Sequence, residues 1–417
     1  MRVFWTTNTF NPEVSKLFQM SSPHAVSWIE AMSERLAALP DVELAIACPC
    51  KNQTFSKKKY NGITYYLVPR HSSEQWKNAV EDFGADIIHA YGTEKEHNLY
   101  LIKGVQDRPI VVSLQGLVSE YQRHYYGGID FSDIIRYTPL RDIVRASGFI
   151  SGRRDYIKRS KDEIEILNNV AYVEGRSTWD RVMAISINSN LHYYYCPRML
   201  RRAFYNAEKW NYETVNKHTI FVPQGVYPIK GLHFAIEGLH YVKKYYPDAK
   251  IVATGINMFE THTRIKRILY DNGYKRYIND LAEKLDLVDS IEFIGTKDAQ
   301  GIAQTLARSH VALVSSSIEN APNSIAEAMI IGTPCIASFV GGNMDMLEHG
   351  NEGFLYCYNE PKMLAEYICQ IFSSKDLAEK FSKNAINKAN ERHDPKKLLL
   401  TIMGIYEDIL KDYAKKE

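Results

Sequence analysis

Two glutamates with seven residues between them, Glu319 and Glu327, are the strongest candidates for chemistry in this chain. Glu319 follows the apolar run "HVALVSS", which is typical of a buried strand, and Glu327 lies about one turn into a helix predicted to begin near Pro322. Because helical side chains lean toward the helix N-terminus, both carboxylates are expected at the rim where the strand ends. Carboxylates there can bind the hydroxyl groups of a sugar or a ribose. The alternative is a helix-start acid and a solvated loop acid with no shared function.

The neighbouring loops favour the functional interpretation. Lys230 precedes Gly231 in "YPIKGLHFAIEGL", and Gly341 and Gly342 follow a later strand in "FVGGNMDM". Glycines let backbone amides approach a ligand closely, and amides, helix N-termini and a lysine all suit phosphate groups. Carboxylates that suit hydroxyl groups, placed beside groups that suit phosphates, predict a sugar-nucleotide site.

Short apolar runs that alternate with helical patterns must position these residues. Such alternation is typical of parallel sheets with helices on both faces. One series of strands is predicted at 2–6, 43–49, 63–68, 86–90 and 109–114, and a second at 219–222, 249–254, 290–294, 310–316 and 334–338. Ala25, Ile29, Met32, Leu36 and Leu39 predict a helix in the first series. We therefore predict an α/β protein with two Rossmann-like domains, whose parallel sheets face a central ligand-binding cleft.

The same pattern predicts the domain boundaries. Residues 1–208 are expected to bind the acceptor and residues 209–395 the donor. Residues 396–417 are expected to form a helix that crosses back onto the N-terminal domain, because Leu398, Ile402, Ile405 and Ile409 recur at helical spacing and need a buried partner.

Composition limits the class of protein. With 417 residues, of which 45% are hydrophobic and 24% charged, the chain is globular rather than disordered or fibrous, and its net charge of +2 identifies no partner. Six irregularly spaced cysteines argue against a disulfide framework and against a zinc site. The N-terminus lacks the pattern of a secretion signal, and no window reaches about 18 uninterrupted apolar residues. We expect a cytoplasmic protein.

These motifs together resemble the group 1 retaining glycosyltransferases of the GT-B fold. The resemblance rests on "SSSIENAPNSIAEAMIIGTPCIAS", "GGNMDMLEHGNEGFLY" and "YPIKGLHFAIEGL", and more loosely on "ADIIHAYGTEKEHNLYLI" and "VVSLQGL". It implies that Glu319 binds the hydroxyls of the donor sugar, Glu327 the ribose and Lys230 the diphosphate. The other donor-binding positions that it implies are Gln224, Gly225, Asn320, Ala321, Pro322, Asn323, Ser324, Gly341 and Gly342.

The resemblance also implies a reaction. The sugar would be transferred with retention of its anomeric configuration, with the nucleotide-sugar as co-substrate and no cofactor, obligate metal or protein nucleophile. The departing diphosphate would help to deprotonate the acceptor hydroxyl, so stabilisation of the leaving group would be the main contribution of the protein.

The chain departs from the family pattern in three places. Most relatives carry an arginine shortly before the lysine, where this chain has Gln224 and Gly225. The first strand is followed by "TTNTFNPEV" rather than by a glycine pair, and Gln115 stands where the family tends to have a histidine. On the acceptor side we predict His89, Gln115 and Gly116.

Histidines and basic runs leave further alternatives. His89, His97 or His124 could assist acceptor deprotonation, or could be hydrogen-bonded structural residues. The basic runs 57–59, 152–161 and 198–202 could hold an anionic or lipid-linked acceptor through peripheral contact with the inner membrane face, or could be solvated surfaces. No nucleic-acid partner is expected, because such a role would leave the glutamate pair and the glycine loop unexplained.

The predicted function is transfer of a sugar from a nucleotide-sugar to a saccharide or lipid-linked saccharide, in polysaccharide or glycoconjugate biosynthesis. A sugar-nucleotide epimerase or a phosphorylase on the same architecture is the alternative, because a fold does not choose the reaction. A binding module would hold the donor and never turn it over. An NAD enzyme and an ATPase are disfavoured, because no GxGxxG follows a strand and no GxxxxGK[ST] occurs.

Overall fold

The structure is a computed structural model that describes residues 1–20, 28–51, 54–139, 142, 148–259 and 271–416. The chain divides into two compact units. Unit 1 comprises Met1–Ser119, Ile157–Arg201 and Arg392–Glu417, and unit 2 comprises Glu120–Tyr156 and Arg202–Glu391. This division differs from the predicted one mainly in residues 120–156, which the sequence placed in the first domain and which belong to unit 2.

Unit 1 contains a sheet of eight strands, which are β1 Arg2–Thr6, β2 Glu43–Cys50, β3 Ser56–Tyr60, β4 Ile63–Pro69, β5 Ile87–Tyr91, β6 Ile110–Ser113, β7 Tyr172–Gly175 and β8 His192–Tyr195. Their order is β3-β4-β2-β1-β5-β6-β7-β8. All neighbours pair in parallel except β3 and β4. The central strands β5, β6 and β7 are buried at every position, as expected where both faces of a sheet are covered.

Unit 2 contains a six-stranded sheet, whose strands are β9 Asn216–Val222, β10 Lys250–Ala253, β11 Ile291–Phe293, β12 Ser309–Val314, β13 Cys335–Ser338 and β14 Gly353–Tyr356. Their order is β11-β10-β9-β12-β13-β14, and every pair is parallel. The loops that follow β9, β12 and β13 therefore leave the same edge of the sheet, and these three loops carry the predicted donor-binding residues.

The helices of the described residues are, in chain order, α1 Pro12–Leu17, α2 Trp28–Ala37, α3 Ser73–Phe83, α4 His97–Gly104, α5 Val118–Tyr121, α6 Phe131–Arg136, α7 Gly148–Asn168, α8 Thr178–Ile187, α9 Arg202–Asn206, α10 Leu232–Val242, α11 Gly273–Lys284, α12 Ala299–Arg308, α13 Asn323–Ile331, α14 Asn343–Met346, α15 Pro361–Ser373, α16 Lys375–Arg392 and α17 Pro395–Ala414. Of the apolar stripe predicted from Ala25 to Leu39, Ala25 lies outside the described residues. No helix in the described part of the chain is long and apolar enough to cross a membrane.

The terminal helix α17 belongs to unit 1. Leu398, Ile402, Ile405 and Ile409 are buried in the same cluster as side chains of β1 and β2, so the stripe read from the sequence is the buried face of the helix. Asp394 caps its first turn by accepting from the backbone N–H groups of residues 396 and 397 at 2.7 and 2.9 Å.

Candidate active site

Lys230 and Glu319 form an ion pair at the carboxyl edge of the unit 2 sheet. Lys230 ends a short 3-10 turn after β9, Glu319 lies in the loop after β12, and Lys230 Nζ is 2.5 Å from Glu319 Oε1. The side chain of Lys230 is 18% exposed and that of Glu319 is 7% exposed. Burial alone would lower the pKa of Lys230, but the adjacent carboxylate offsets this and leaves the pKa above its ordinary value. The lysine is therefore held as a cation in a largely dry place.

The pair still has unused hydrogen-bonding capacity. Ser316 Oγ donates to Glu319 Oε1 at 2.6 Å, so both contacts of that carboxylate fall on one oxygen. Among the described residues, none donates to Glu319 Oε2, and one of the three ammonium donors of Lys230 is engaged. One carboxylate oxygen and two ammonium donors remain for a ligand that carries both hydroxyl and phosphate groups.

The loops that carry this pair are bound to one another through their backbones. Ser317 N–H donates to Ile229 O at 2.8 Å, and Ser315 Oγ donates to Gly231 O at 2.9 Å. Gly231 has a φ of +69°, and a Cβ at this position would lie 2.0 Å from Ser315 O. Only glycine fits such an approach, so Gly231 is required for the loop after β9 to hold Lys230 beside Glu319.

Gly341 and Gly342 serve the same purpose from a third loop. Gly341 has a φ of +49°, and its Cβ would lie 1.8 Å from Glu319 O, while the N–H of Gly342 donates to that oxygen at 3.1 Å. We predicted that both amides would contact a donor phosphate. The Gly342 N–H instead donates to the backbone carbonyl of Glu319, because the loop after β13 packs closely against it. Gly341 and Gly342 therefore fix the position of the Glu319 backbone.

The helix α13 begins at Asn323 with Pro322 as its N-cap, as the sequence predicted. Pro322 offers no side-chain cap to its first turn, and the N-terminal partial charge of α13 suits an anion. Glu327 lies in its second turn and is 8% exposed, and Asn320 and Ala321, in the preceding loop, are also buried. The structure therefore brings the segment Asn320–Ser324, Glu319 and Glu327 to the one edge at which the sequence placed them.

The positions where relatives carry an arginine contain no cation. Gln224 is exposed and Gly225 is buried, and Tyr227 Oη donates to Gln224 Oε1 at 3.3 Å. Tyr227 is 41% exposed at the same edge, and burial of its hydroxyl raises its pKa, an effect that the charge of Lys230 opposes.

Residues 122–128 of unit 2 pack against the turn that carries Lys230. Gly127 has a φ of +63°, and a Cβ there would lie 2.2 Å from Pro228 O. His233 Nε2 donates to Gly127 O at 2.8 Å, and burial lowers the pKa of His233 to about 4, so this histidine is a neutral donor. From the sequence we assigned this segment to the acceptor side through His124 and predicted no contact with the lysine loop, although a Gly-Gly pair at 127–128 is a signal for positive φ or close backbone approach. It supports the lysine loop from outside the sheet.

In unit 1, His89 occupies the core rather than a ligand-binding surface. Its side chain is 0% exposed, its Nδ1 accepts from Tyr406 Oη at 2.7 Å, and its Nε2 lies 3.3 Å from Glu174 Oε2. Trp5 Nε1 donates to the same tyrosine hydroxyl at 2.9 Å. Burial lowers the pKa of His89 and keeps the ring neutral. The acceptor role predicted for His89 is not supported by this position, and the ring joins α17 to the sheet.

Glu174 is the charged centre of this buried network. Arg198 Nη1 lies 3.0 Å from both of its carboxylate oxygens, and Ser113 Oγ donates to Oε2 at 2.5 Å. Burial alone would raise the pKa of Glu174, but Arg198, the adjacent His89 ring and the hydrogen bond from Ser113 lower it to about 2. Because the folded-state pKa is depressed, the pair stabilises the fold fully above the ordinary carboxyl pKa, and this contribution is lost as the pH falls toward 2.

Glu174→Gln is expected to lower the free energy of unfolding by about 3 kcal/mol at pH 7, because it leaves the buried Arg198 without a counter-charge. Urea unfolding of wild type and variant at pH 7 and pH 3 measures this, and the difference should narrow at the lower pH. Glu165→Gln, an exposed glutamate on α7, is the control. A difference below about 0.5 kcal/mol at pH 7, as for an ordinary surface substitution, would contradict this interpretation of the network.

The other acceptor-side candidates differ in how far their side chains are buried. Gln115 and Gly116 follow β6 and are half-buried, and Gln115 O accepts from Arg176 Nη2 at 2.9 Å. His97 is buried against Trp76, and burial lowers its pKa to about 3, so it is a core residue. His124 is half-buried in unit 2, not in unit 1, and burial lowers its pKa.

Comparison with known proteins places these features in context. The profile of the family described as "Glycosyl transferases group 1" matches residues 206–388. The chain is 28% identical over 335 residues to "Putative glycosyltransferase YtcC" of Bacillus subtilis, an alignment that covers 78% of this chain and 73% of that protein. It is 29% identical over 135 residues to N-acetyl-alpha-D-glucosaminyl L-malate synthase of Bacillus anthracis, which covers 32% of this chain and 35% of that protein.

Two solved structures share the architecture. Sucrose-phosphate synthase from Thermosynechococcus elongatus superposes with a TM-score of 0.72 at 16% identity, covering 99% of this chain and 100% of that one. Anabaena Alr3699/HepE in complex with UDP-glucose gives a TM-score of 0.67 at 16% identity, covering 98% of this chain and 100% of that one. At this level of identity the likeness concerns the fold.

Proposed function

Residues 206–388 form a group 1 glycosyltransferase domain in a chain with the GT-B fold, and we propose that this glycosyltransferase moves a sugar from a nucleoside diphosphate donor to a saccharide or lipid-linked saccharide with retention of configuration. The observation that carries the proposal is the buried Lys230–Glu319 pair, whose spare donors and acceptor face the same edge as the N-terminus of α13. A cation suits a diphosphate, and a carboxylate beside it suits the hydroxyls of the attached sugar.

The proposed chemistry follows from these positions. Lys230 and the N-terminus of α13 neutralise the charge that develops on the diphosphate as the bond between the sugar C1 and the phosphate oxygen breaks. The acceptor oxygen forms the new bond to C1 on the same face, and its proton passes to a diphosphate oxygen. Glu319 Oε2 holds a sugar hydroxyl and so fixes the ring, while Glu327 binds the ribose. No protein nucleophile is used in this scheme.

The donor nucleotide proposed first is UDP, because structures of Alr3699/HepE contain UDP and UDP-glucose. A relative named for colanic acid biosynthesis, matched over 38% of this chain, supports a role in polysaccharide assembly. Two predictions rest on the sequence alone. They are the cytoplasmic location and the contact of the basic runs with the inner membrane face.

Thermal unfolding with UDP, GDP, ADP and CMP tests the donor site. One nucleotide should raise the free energy of unfolding by roughly 2.7 kcal/mol at 100 times its dissociation constant, which a melting curve resolves. The measurement is made in EDTA, because we propose that Lys230 and helix amides, without an obligate metal, bind the diphosphate. Stabilisation by none of the four, or only after a divalent metal is added, would contradict the proposed donor site.

A further inference from the structure

Asn8 and Glu94 meet at the carboxyl edge of the unit 1 sheet. Asn8 follows β1 and Glu94 follows β5, and these two strands pair in parallel with Thr6 beside Ala90. Asn8 Nδ2 donates to Glu94 Oε1 at 2.6 Å. Because a carboxylate only accepts, this bond fixes the orientation of the amide and turns Asn8 Oδ1 away from Glu94 Oε1.

The backbone is arranged to hold the Glu94 carboxylate in this place. Gly92 has a φ of +90°, and a Cβ there would lie 2.3 Å from Glu94 Oε2. Asn98, which is fully buried, donates to the carbonyls of Tyr91 and Gly92 at 3.2 and 2.7 Å. Any side chain at residue 92 would displace the carboxylate, so the loop after β5 is shaped around it.

Two atoms of this pair have no hydrogen-bond partner among the residues that the structure describes. Glu94 Oε2 and Asn8 Oδ1 are both shielded from solvent, and neither accepts a hydrogen bond from any residue that the structure describes. A buried acceptor without a donor costs about 1–3 kcal/mol, more for a charged group, so two of them on side chains that are hydrogen-bonded to each other indicate a ligand that supplies the donors. Both atoms are acceptors, and the missing ligand must therefore present two donors.

We propose that Asn8 and Glu94 are a specificity-determining subsite that binds two hydroxyl groups of an uncharged sugar, the acceptor of the glycosyl transfer proposed above. Neighbouring hydroxyls of one sugar ring can donate to the free oxygens of an amide and a carboxylate that are hydrogen-bonded to each other. The inference rests on the proposed function in one respect only, the identity of this sugar as the acceptor.

The charges around Asn8 and Glu94 favour an uncharged sugar over a sugar phosphate as the ligand. Lys95 and Arg159 lie near Glu94, and Arg159 Nη1 donates to the Glu94 carbonyl at 3.4 Å. Those cations alone would suit a phosphate, but the negative charge of the Glu94 carboxylate repels one. Burial raises the pKa of Glu94, while its own backbone N–H, Asn8, Lys95 and Arg159 oppose that shift.

Ligand-observed NMR on the full chain tests the subsite. The probes are neutral p-nitrophenyl glycosides of glucose, galactose and N-acetylglucosamine, glucose 6-phosphate, and UDP as a report on the donor site. The variants are Glu94→Gln and Asn8→Ser, and the control is Glu96→Gln, a glutamate of the same loop that pairs with His71. At least one neutral glycoside should bind wild type and Glu96→Gln equally and bind both test variants about tenfold more weakly, the scale of one lost charged hydrogen bond.

The outcomes distinguish this inference from the donor proposal. UDP binding and the midpoint of urea unfolding should be unchanged in every variant, which shows that each is folded. Equal glycoside binding by wild type and Glu94→Gln, binding confined to glucose 6-phosphate, or no glycoside binding beside normal UDP binding would each overturn the subsite. Glycoside binding that depends on Glu94 in a chain that binds no nucleotide would support the subsite and overturn the proposed donor site.

Discussion

Glu319→Gln is expected to bind free nucleotide diphosphate no more weakly than wild type and to turn over the donor about a hundredfold more slowly, which corresponds to about 2.7 kcal/mol. The reason is geometric. Glu319 Oε2 takes no part in the ion pair with Lys230, so we assign it to a hydroxyl of the donor sugar. Removal of the Glu319 charge releases the Lys230 ammonium group to bind the phosphates. Glu327→Gln is expected to lose affinity for the free nucleotide and for the donor alike, because we assign Glu327 to the ribose.

Calorimetric affinity for the nucleotide and the rate of donor consumption, measured on the same preparations, separate the two glutamates. Glu366→Gln, an exposed glutamate of α15, is the matched control and should match wild type in both assays. The same loss in both assays for both variants would refute the division of roles. No loss in either would return Glu319 and Glu327 to the alternative of a loop acid and a helix-start acid.

Lys230→Ala is expected to have two effects. Affinity for nucleotide diphosphate should fall by about 1.5–3 kcal/mol, the scale of a hydrogen bond to a charged group. Stability should also fall, by up to about 3–5 kcal/mol, because Glu319 would stay buried without its cation. Titration calorimetry and urea unfolding measure the two effects separately.

A double variant distinguishes these effects further. Lys230→Ala with Glu319→Gln removes both charges, so it should recover most of the lost stability and none of the lost affinity. Lys250→Ala, an exposed lysine at the amino end of β10, should change neither quantity. Full nucleotide affinity in Lys230→Ala would show that the diphosphate binds elsewhere.

The sequence predicted the sheets best where strands are apolar and buried. All ten predicted strands are present, because runs such as "HVALV" and "DIIHA" are both apolar enough to be buried and rich in residues that favour strands. It missed four of the described strands: β3, "SKKKY", and β8, "HYYY", which lie at the two edges of the unit 1 sheet and have polar or exposed side chains, and the short buried strands β7, "YVEG", and β14, "GFLY". A lysine-rich edge strand carries no apolar periodicity, and its pairing with β4 is set by tertiary structure.

The same limit applies to the site. Residue types and strand ends were enough to place Lys230, Glu319 and α13 at one edge. Side-chain pairing was not readable, because the contact between Lys230 and Glu319 depends on the approach of two loops 89 residues apart in the chain. For the same reason His89 could not be distinguished from a ligand-binding residue, since its partners Glu174 and Tyr406 come from a different strand and from the terminal helix.

Product analysis after incubation with UDP-glucose and the neutral p-nitrophenyl glycosides tests whether this protein transfers a sugar with retention of configuration. We expect UDP release that requires the glycoside, and a new glycosidic bond whose anomeric NMR signal shows the α configuration of the donor, with both formed about a hundredfold more slowly by Glu319→Gln. A product of β configuration would contradict retention. Three other results would contradict glycosyl transfer. Formation of UDP-galactose would favour an epimerase, and glucose 1-phosphate formed only with added phosphate would favour a phosphorylase. Tight binding of UDP-glucose without any turnover would favour a binding module.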